Sequence, residues 1–234
     1  MRGGGESCAA ARGALSLTRS NTHTHTRALL TALLCSHPSN LNRETADTGP
    51  YNNWDRLAFV QRKDAAHVDW HHNNLNLVNY NSVSAYDTDD CSAYHLMENS
   101  VQLYGSGLKS DFSGHDITYA NTLSVWGHSS DQYQALVPGY FNAMRGQTQL
   151  AAAEGESIFS HVCPNASDWP RLTDSAYFSP LGNVTLCQRS VQDWQAAVPG
   201  VLRNVTTAPV PPGLTAEAIV DLARATLATP AQGV

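Results

Sequence analysis

Three stretches of the chain echo one another. Asn81-Ser-Val-Ser-Ala-Tyr-Asp87, Asn99-Ser-Val-Gln-Leu-Tyr-Gly105 and Asn121-Thr-Leu-Ser-Val-Trp-Gly127 follow one template: Asn, Ser or Thr, aliphatic, any residue, apolar, aromatic, then Gly or Asp. Their first residues lie 18 and 22 positions apart. An apolar-alternating segment that recurs near every twenty residues is the mark of a solenoid, in which each unit buries its apolar face only against its neighbours. The expected fold is therefore all-β, a parallel β-helix closed by a C-terminal helix. The densest polar cluster falls inside the repeats.

A chain of 234 residues suits one domain with a short appendage. Only 15% of its residues are charged, and Asn, Ser and Thr are plentiful, as in a β-rich protein with a polar surface. Residues 1–38 carry a net +3 and the remainder −9. An acidic body argues against nucleic acid as a partner, which needs a basic face. No apolar run approaches the roughly 20 residues of a membrane-spanning helix, so no transmembrane segment is expected.

The five cysteines form no CxxC pair, which removes support for a zinc site. Asn165, Asn183 and Asn204 each begin an N-glycosylation sequon, and Cys163 and Cys187 lie in the same region and can pair in an oxidising compartment. Together these features point to a secreted or extracellular protein, expected as a monomer. No clear signal peptide is present. Residues 1–38 contain the alternation Thr22-His-Thr-His-Thr26 and a short apolar run that begins far from Met1, and they are expected to lie outside the fold. On that reading the solenoid is N-terminally truncated and occupies 39–207.

Short β-type runs such as Leu75–Tyr80 alternate with turn residues, and Leu, Val, Ile and Tyr are expected to stack inward with Asn ladders at the turns. Gln147–Ala153 reads as a short helix or loop, and 158–162 and 183–187 read as strands. The closing unit, 208–234, combines a linker with a helix that Thr215 caps and that runs to about Leu227. Ile219, Leu222 and Leu227 line its apolar stripe, ready to cover an open solenoid end.

Two polar clusters carry candidate chemistry. The first holds Arg43, Glu44, Asp47, Trp54, Asp55 and Arg56 around the turn-forming Gly49-Pro50. A Trp beside an Asp-Arg pair makes a platform for a sugar, whose C–H faces stack on indole while its hydroxyls need charged partners. The same groups would equally satisfy backbone polar atoms at a corner. The second cluster is Tyr86-Asp-Thr-Asp-Asp-Cys-Ser92, with Lys109 and His115 about one coil later. On a strand Asp87 and Asp89 share a face and Asp90 points away. Two carboxylates on one face suit general acid work, and they equally suit a cation or an Asp-rich turn ladder.

These clusters resemble the pectin-lyase-like superfamily of right-handed parallel β-helix proteins. A poorly characterised eukaryotic group there carries Arg-Glu-Ser/Thr-x-Asp-His-Gly-Pro-Phe-Asn-Ser-Trp-Asp-Arg, then Asp-x-Asp-Asp-Gly-Ser, Tyr-Gly-Gly-x-Lys and Gly-His. Here the corresponding stretches are Arg43–Asp47 with Gly49–Arg56, Asp87–Ser92, Tyr104–Lys109 and Gly114-His115. Thr48, Tyr51, Asn53 and Cys91 depart from the pattern. The resemblance covers residues 40 to 130 and implies a right-handed coil that acts on or binds acidic polysaccharides. In a hydrolase, Asp87 or Asp89 would protonate the leaving oxygen while a second carboxylate such as Asp90 activates water, with His115 holding the charge pattern. In a lyase, Lys109 would take the sugar C5 proton and Ca²⁺ would bridge the uronate; otherwise no cofactor is expected. A non-catalytic glycan-binding or cell-wall protein is the alternative.

Overall fold

The computed structural model describes residues 33–34, 51–54, 68–77, 85–89, 92–104, 108–110, 114–126, 131–133, 142–155, 158–161 and 170–231. In chain order the strands are β1 (Leu33–Leu34), β2 (Tyr51–Trp54), β3 (Asp69–His72), β4 (Leu75–Leu77), β5 (Tyr86–Asp89), β6 (Ala93–Leu103), β7 (Leu108–Ser110) and β8 (His115–Val125). They continue with β9 (Asp131–Tyr133), β10 (Ala143–Arg145), β11 (Thr148–Leu150), β12 (Phe159–His161), β13 (Arg171–Ser179), β14 (Thr185–Leu186), β15 (Arg189–Ser190) and β16 (Leu202–Pro209). Helix α1 is Val191–Ala197 and helix α2 is Ala216–Ala228.

Two parallel sheets run along the stack. Sheet A joins β1, β3 with β4, β6, β8, β10 with β11, β13 and β16, and sheet B joins β2, β5, β7, β9 and β12. Parallel neighbours cannot be closed by a hairpin, so the chain passes from B to A and back once per coil. The result is a β-solenoid with a C-terminal helix. Inside it, Met97, Tyr119, Met144, Leu172 and Leu202 stand in register on successive coils of sheet A. Tyr86 and Leu108 face them from sheet B, and all are essentially buried. The Tyr51 and Tyr86 rings stack with centroids 4.9 Å apart.

A ladder of left-handed residues marks one bend of sheet A on successive coils. Asn73, Asn99, Asn121, Gly146, Asp174 and Asn204 all have φ between +49° and +64°. Asn is the non-glycine residue that tolerates this region best, because its short amide bonds locally. Asn121 Nδ2 donates to Asn99 Oδ1 at 2.8 Å across a 22-residue interval, and Asn204 Nδ2 donates to Asp174 Oδ1 at 2.9 Å. The echo between positions 99 and 121 is thus a true coil repeat. Position 81 does not belong to it. Tyr86, the aromatic of the Asn81–Asp87 stretch, lies in sheet B between Tyr51 and Leu108, and the place under Asn99 is taken by Asn73. Asn81 itself lies outside the described residues.

The bend shifts the in-and-out alternation by one residue. Met97 points inward before Asn99, but Ser100 does so after it, where its hydroxyl meets Tyr86 OH at 2.8 Å. Beyond the bend the interior is therefore polar: Asn76, Ser100, Gln102 and Thr122 are buried there, and Ser124 Oγ donates to Gln102 Oε1 at 3.2 Å. Val101, Leu103, Leu123 and Val125 face outward instead of inward, and α2 lies over them with Ile219, Ala223 and Leu227. Fully burying a side chain of this size is worth roughly 1.5–3 kcal/mol. Leu222 is 43% exposed and takes no part in the stripe. Asn73 and Asn99 donate to the carbonyls of Leu227 and Thr229, so the ladder caps the helix C-terminus.

Helix α2 covers a flank and not an end. The end role falls to α1, which sits against β16, with Gln195 Nε2 donating to Val205 O at 2.8 Å and Val191 fully buried. Thr215 caps α2 as expected, accepting from Ala218 N at 3.2 Å. Other boundaries differ. The segment expected as a helix or loop at 147–153 contains β11. Leu33–Leu34 pairs with β3 although it lies in the stretch expected outside the fold, and β16 runs on to Pro209, two residues into the expected linker.

Candidate functional site

Sheet B builds the site. Alternation along β5 sends Tyr86 and Thr88 inward and Asp87 and Asp89 outward, and on β7 it sends Lys109 outward between Leu108 and Ser110. Register places Asn52 beside Asp87, Asp87 beside Lys109, and Trp54 beside Asp89. The backbone below is pinned from the interior. Tyr119 OH donates to the Lys109 carbonyl at 2.8 Å, Thr88 Oγ1 donates to the same oxygen, and the Thr88 and Tyr119 hydroxyls lie 3.1 Å apart. Asn142 Nδ2 donates to Ser110 Oγ at 2.9 Å. At the corner after β5, Ser92 Oγ donates to Asp89 O at 2.6 Å.

The side chains close on one another. Lys109 Nζ lies 2.9 Å from Asp87 Oδ1 and 2.8 Å from Asp89 Oδ1, and Asn52 Nδ2 donates to Asp87 Oδ2 at 2.8 Å. Although they face away from the interior, the Asp87 and Lys109 side chains are only 2% and 4% exposed, against 21% for Asp89. Burial pushes the Asp87 carboxyl above the usual carboxylate range. Lys109 pulls it back, Asp89 adds to the rise and Asn52 lowers it slightly.

Asp87, Asp89 and Lys109 thus come together as their spacing suggests. His115 does not join them on sheet B. It opens β8 in sheet A, where its Nδ1 meets Asp116 Oδ2 at 2.8 Å and its ring stands edge-on to Tyr94. Asp90, Arg43, Glu44, Asp47, Asp55 and Arg56 lie outside the described residues, as do Cys91, Cys163 and Asn165. The Trp54 backbone is in β2. Cys187 is disulfide-bonded, and every other cysteine lies outside the described residues. Asn183 and Asn204 are exposed; Asn204 is a ladder residue whose amide is engaged by Asp174. Asn52 went unnoticed in sequence, because only strand register brings it to Asp87. Its place in the Tyr51-Asn-Asn-Trp54 motif was the available signal.

Chemically, the arrangement is a closed charge cluster. Two carboxylate oxygens that share one ammonium lie less than about 6 Å apart, short of the 6.5–9.5 Å that lets a water enter for inversion but compatible with the roughly 5–5.5 Å of a retaining pair. An ammonium gripped on two sides offers no free lone pair for proton abstraction. Among the described residues no group of three His, Cys, Asp or Glu side chains suits a metal ion, and Asp87 and Asp89 both contact Lys109, while Asp90, the third carboxylate of the cluster expected to hold calcium, lies outside the described residues. Among the described residues no helix is long and apolar enough to cross a membrane. The fold and site together define a parallel β-solenoid with a buried ionic cluster on one flank. No protein-family model, no curated protein and no solved structure matches the chain.

Proposed function

We propose that the protein is an extracellular, polysaccharide-associated β-solenoid of the pectin-lyase-like kind, with the right-handed coil that parallel crossovers take, and that it binds glycans without cleaving them. The observation that carries this reading is the Asp87–Lys109–Asp89 cluster with Asn52. Polar residues sit on the outward side of one parallel sheet, as a glycan-binding flank requires, yet the groups a hydrolase or lyase would use are locked to each other. Asp89, the partly exposed member, is the group offered to a sugar hydroxyl.

A hydrolytic reading has two observations in its favour: the upward push on the Asp87 carboxyl, which is what a general acid needs, and a carboxylate separation that suits a retaining pair. Incubation with a panel of neutral and acidic polysaccharides separates the two. Binding with neither new reducing ends nor the ultraviolet absorbance of unsaturated products supports the proposal, and Asp89→Asn should then weaken binding at a temperature where the variant, which also gives up its bond to Lys109, is still fully folded. New reducing ends that Asp87→Asn abolishes would establish the hydrolase instead. Absence of binding to every glycan would end both readings.

A further inference from the structure

The outer face of sheet A carries a hollow, apart from the Lys109 cluster on sheet B. Gly146 stands in the ladder where each of the other five positions carries a side chain. Ala120, the outward residue of the coil before, lies in register with Arg145. These two small residues floor a cavity of about 320 Å³. Its walls are charged: Glu98, Arg145 and Asp174 line it, and so does Thr229, the C-cap of α2.

Register puts Glu98, Ala120 and Arg145 on three successive coils, so the carboxylate and the guanidinium belong to opposite ends of the hollow. Neighbouring strands lie about 4.8 Å apart, which sets the two backbones roughly 10 Å from each other. Asp174 belongs to the Arg145 end, on the coil beyond Gly146. Glu98 is 3% exposed and accepts from Trp70 Nε1 at 3.2 Å, and Asp174 accepts from Asn204 Nδ2 at 2.9 Å. Those donors are neutral and leave the charges in place, and a carboxylate has room for about four hydrogen bonds. Arg145 forms no ion pair among the described residues. The Glu98 end gains negative character from the C-terminus of α2, whose last turn holds no basic residue. One end of the hollow is therefore negative, and the other carries both signs.

We propose that this cavity binds a free basic α-amino acid, with lysine as the simplest case, lying along the solenoid axis over Ala120 and Gly146. Its carboxylate meets the guanidinium of Arg145, whose planar fork offers two parallel N–H donors. Its α-ammonium meets Asp174, and its side-chain ammonium meets Glu98 beside the C-terminus of α2. Such a ligand carries two positive charges and one negative, the inverse of the two carboxylates and one guanidinium that line the cavity. The flexible stem of four methylenes lies on the small-residue floor and spans the gap between the two ends. A neutral amino acid would leave the Glu98 end unanswered, and a plain amine would leave Arg145 so.

The test is isothermal titration calorimetry on the full chain at low salt, with L-lysine, norleucine and 1,5-diaminopentane as probes. Norleucine lacks the side-chain ammonium, and the diamine lacks the carboxylate. Lysine should bind, and each of the other two should bind roughly tenfold more weakly or worse, the weight of one charge-assisted contact. Arg145→Ser should bring lysine down to the level of the diamine. Gly146→Asn should abolish binding by filling the floor. Its φ of +64° is one that Asn adopts elsewhere in the ladder, and a Cβ there lies 3.6 Å from the Asn121 backbone, an ordinary contact, so the fold should be kept. A melting temperature near that of wild type checks this. Norleucine or the diamine bound as tightly as lysine would overturn the proposal. So would wild-type lysine affinity in Gly146→Asn or Arg145→Ser, or no lysine bound at millimolar concentration. None of these results touches the glycan-binding reading, which stands or falls on the polysaccharide panel.

Discussion

Replacing Lys109 by Met removes the ammonium from between two carboxylates and leaves its alkyl volume in place. Each charge-assisted hydrogen bond is worth about 1.5–3 kcal/mol. The Asp87 bond is buried, whereas the Asp89 carboxylate is 21% exposed and can be rescued by water, so its share falls at the low end. Losing one partner of a buried ion pair costs about 3–5 kcal/mol, which we take as the expected deficit at pH 7. The deficit should depend on pH with a definite sign. Burial already raises the Asp87 carboxyl, and without Lys109 it rises further. A folded-state pKa above the unfolded one means the penalty is complete at pH values above the folded pKa and is relieved as pH falls through it. The variant should therefore close on wild type as pH is lowered from 7. Adding Asp87→Asn should restore most of the lost stability, to within about 1–2 kcal/mol of wild type, because an uncharged pair leaves no unpaired ion behind. Urea unfolding followed by tryptophan fluorescence measures all three proteins. A Lys109→Met deficit under about 1 kcal/mol, or a double variant no better than the single, would refute the buried-cluster argument.

Three further outcomes are expected. His95 is buried and its pKa is pushed down to about 3, by burial first and by His71 second, with the half-exposed Asp69 3.8 Å away failing to offset this. Only the unfolded chain takes up that proton, so between pH 7 and 5 wild type should lose about 2 kcal/mol that His95→Gln does not lose; parallel pH profiles for the two proteins would contradict this. Asn99→Ala gives up a ladder bond, a helix-capping bond and a residue suited to φ +52°, and should cost about 2–3 kcal/mol, with amide exchange quickening first in the last turn of α2; protection unchanged in that turn would disprove the capping role. Peptide mapping without reductant should find Cys187 joined to Cys163, and reduction should lower stability by about 2–4 kcal/mol; a link from Cys187 to Cys8, Cys35 or Cys91 would exclude that pairing.

Much of the architecture was legible in the chain itself, since the Asn99 and Asn121 segments repeat a local pattern that a coil imposes on every turn. Thr215 and the stripe through Ile219 and Leu227 announced the closing helix, because capping and helical spacing act over a few residues. The shared face of Asp87 and Asp89 followed from strand periodicity alone. Tertiary structure decided what depends on register between coils: that Asn73 and not Asn81 underlies Asn99, that Lys109 reaches both carboxylates, that Asn52 joins them and that His115 stands on the other sheet. It also decided the inversion at the ladder, where the left-handed residues Asn99 and Asn121 turn Val101 and Leu123 outward under α2 and leave Ser100 and Thr122 inside. Local spacing records which neighbours a residue has along the chain; which residue lies one coil above is set by how many residues each turn consumes, and that number varies from coil to coil.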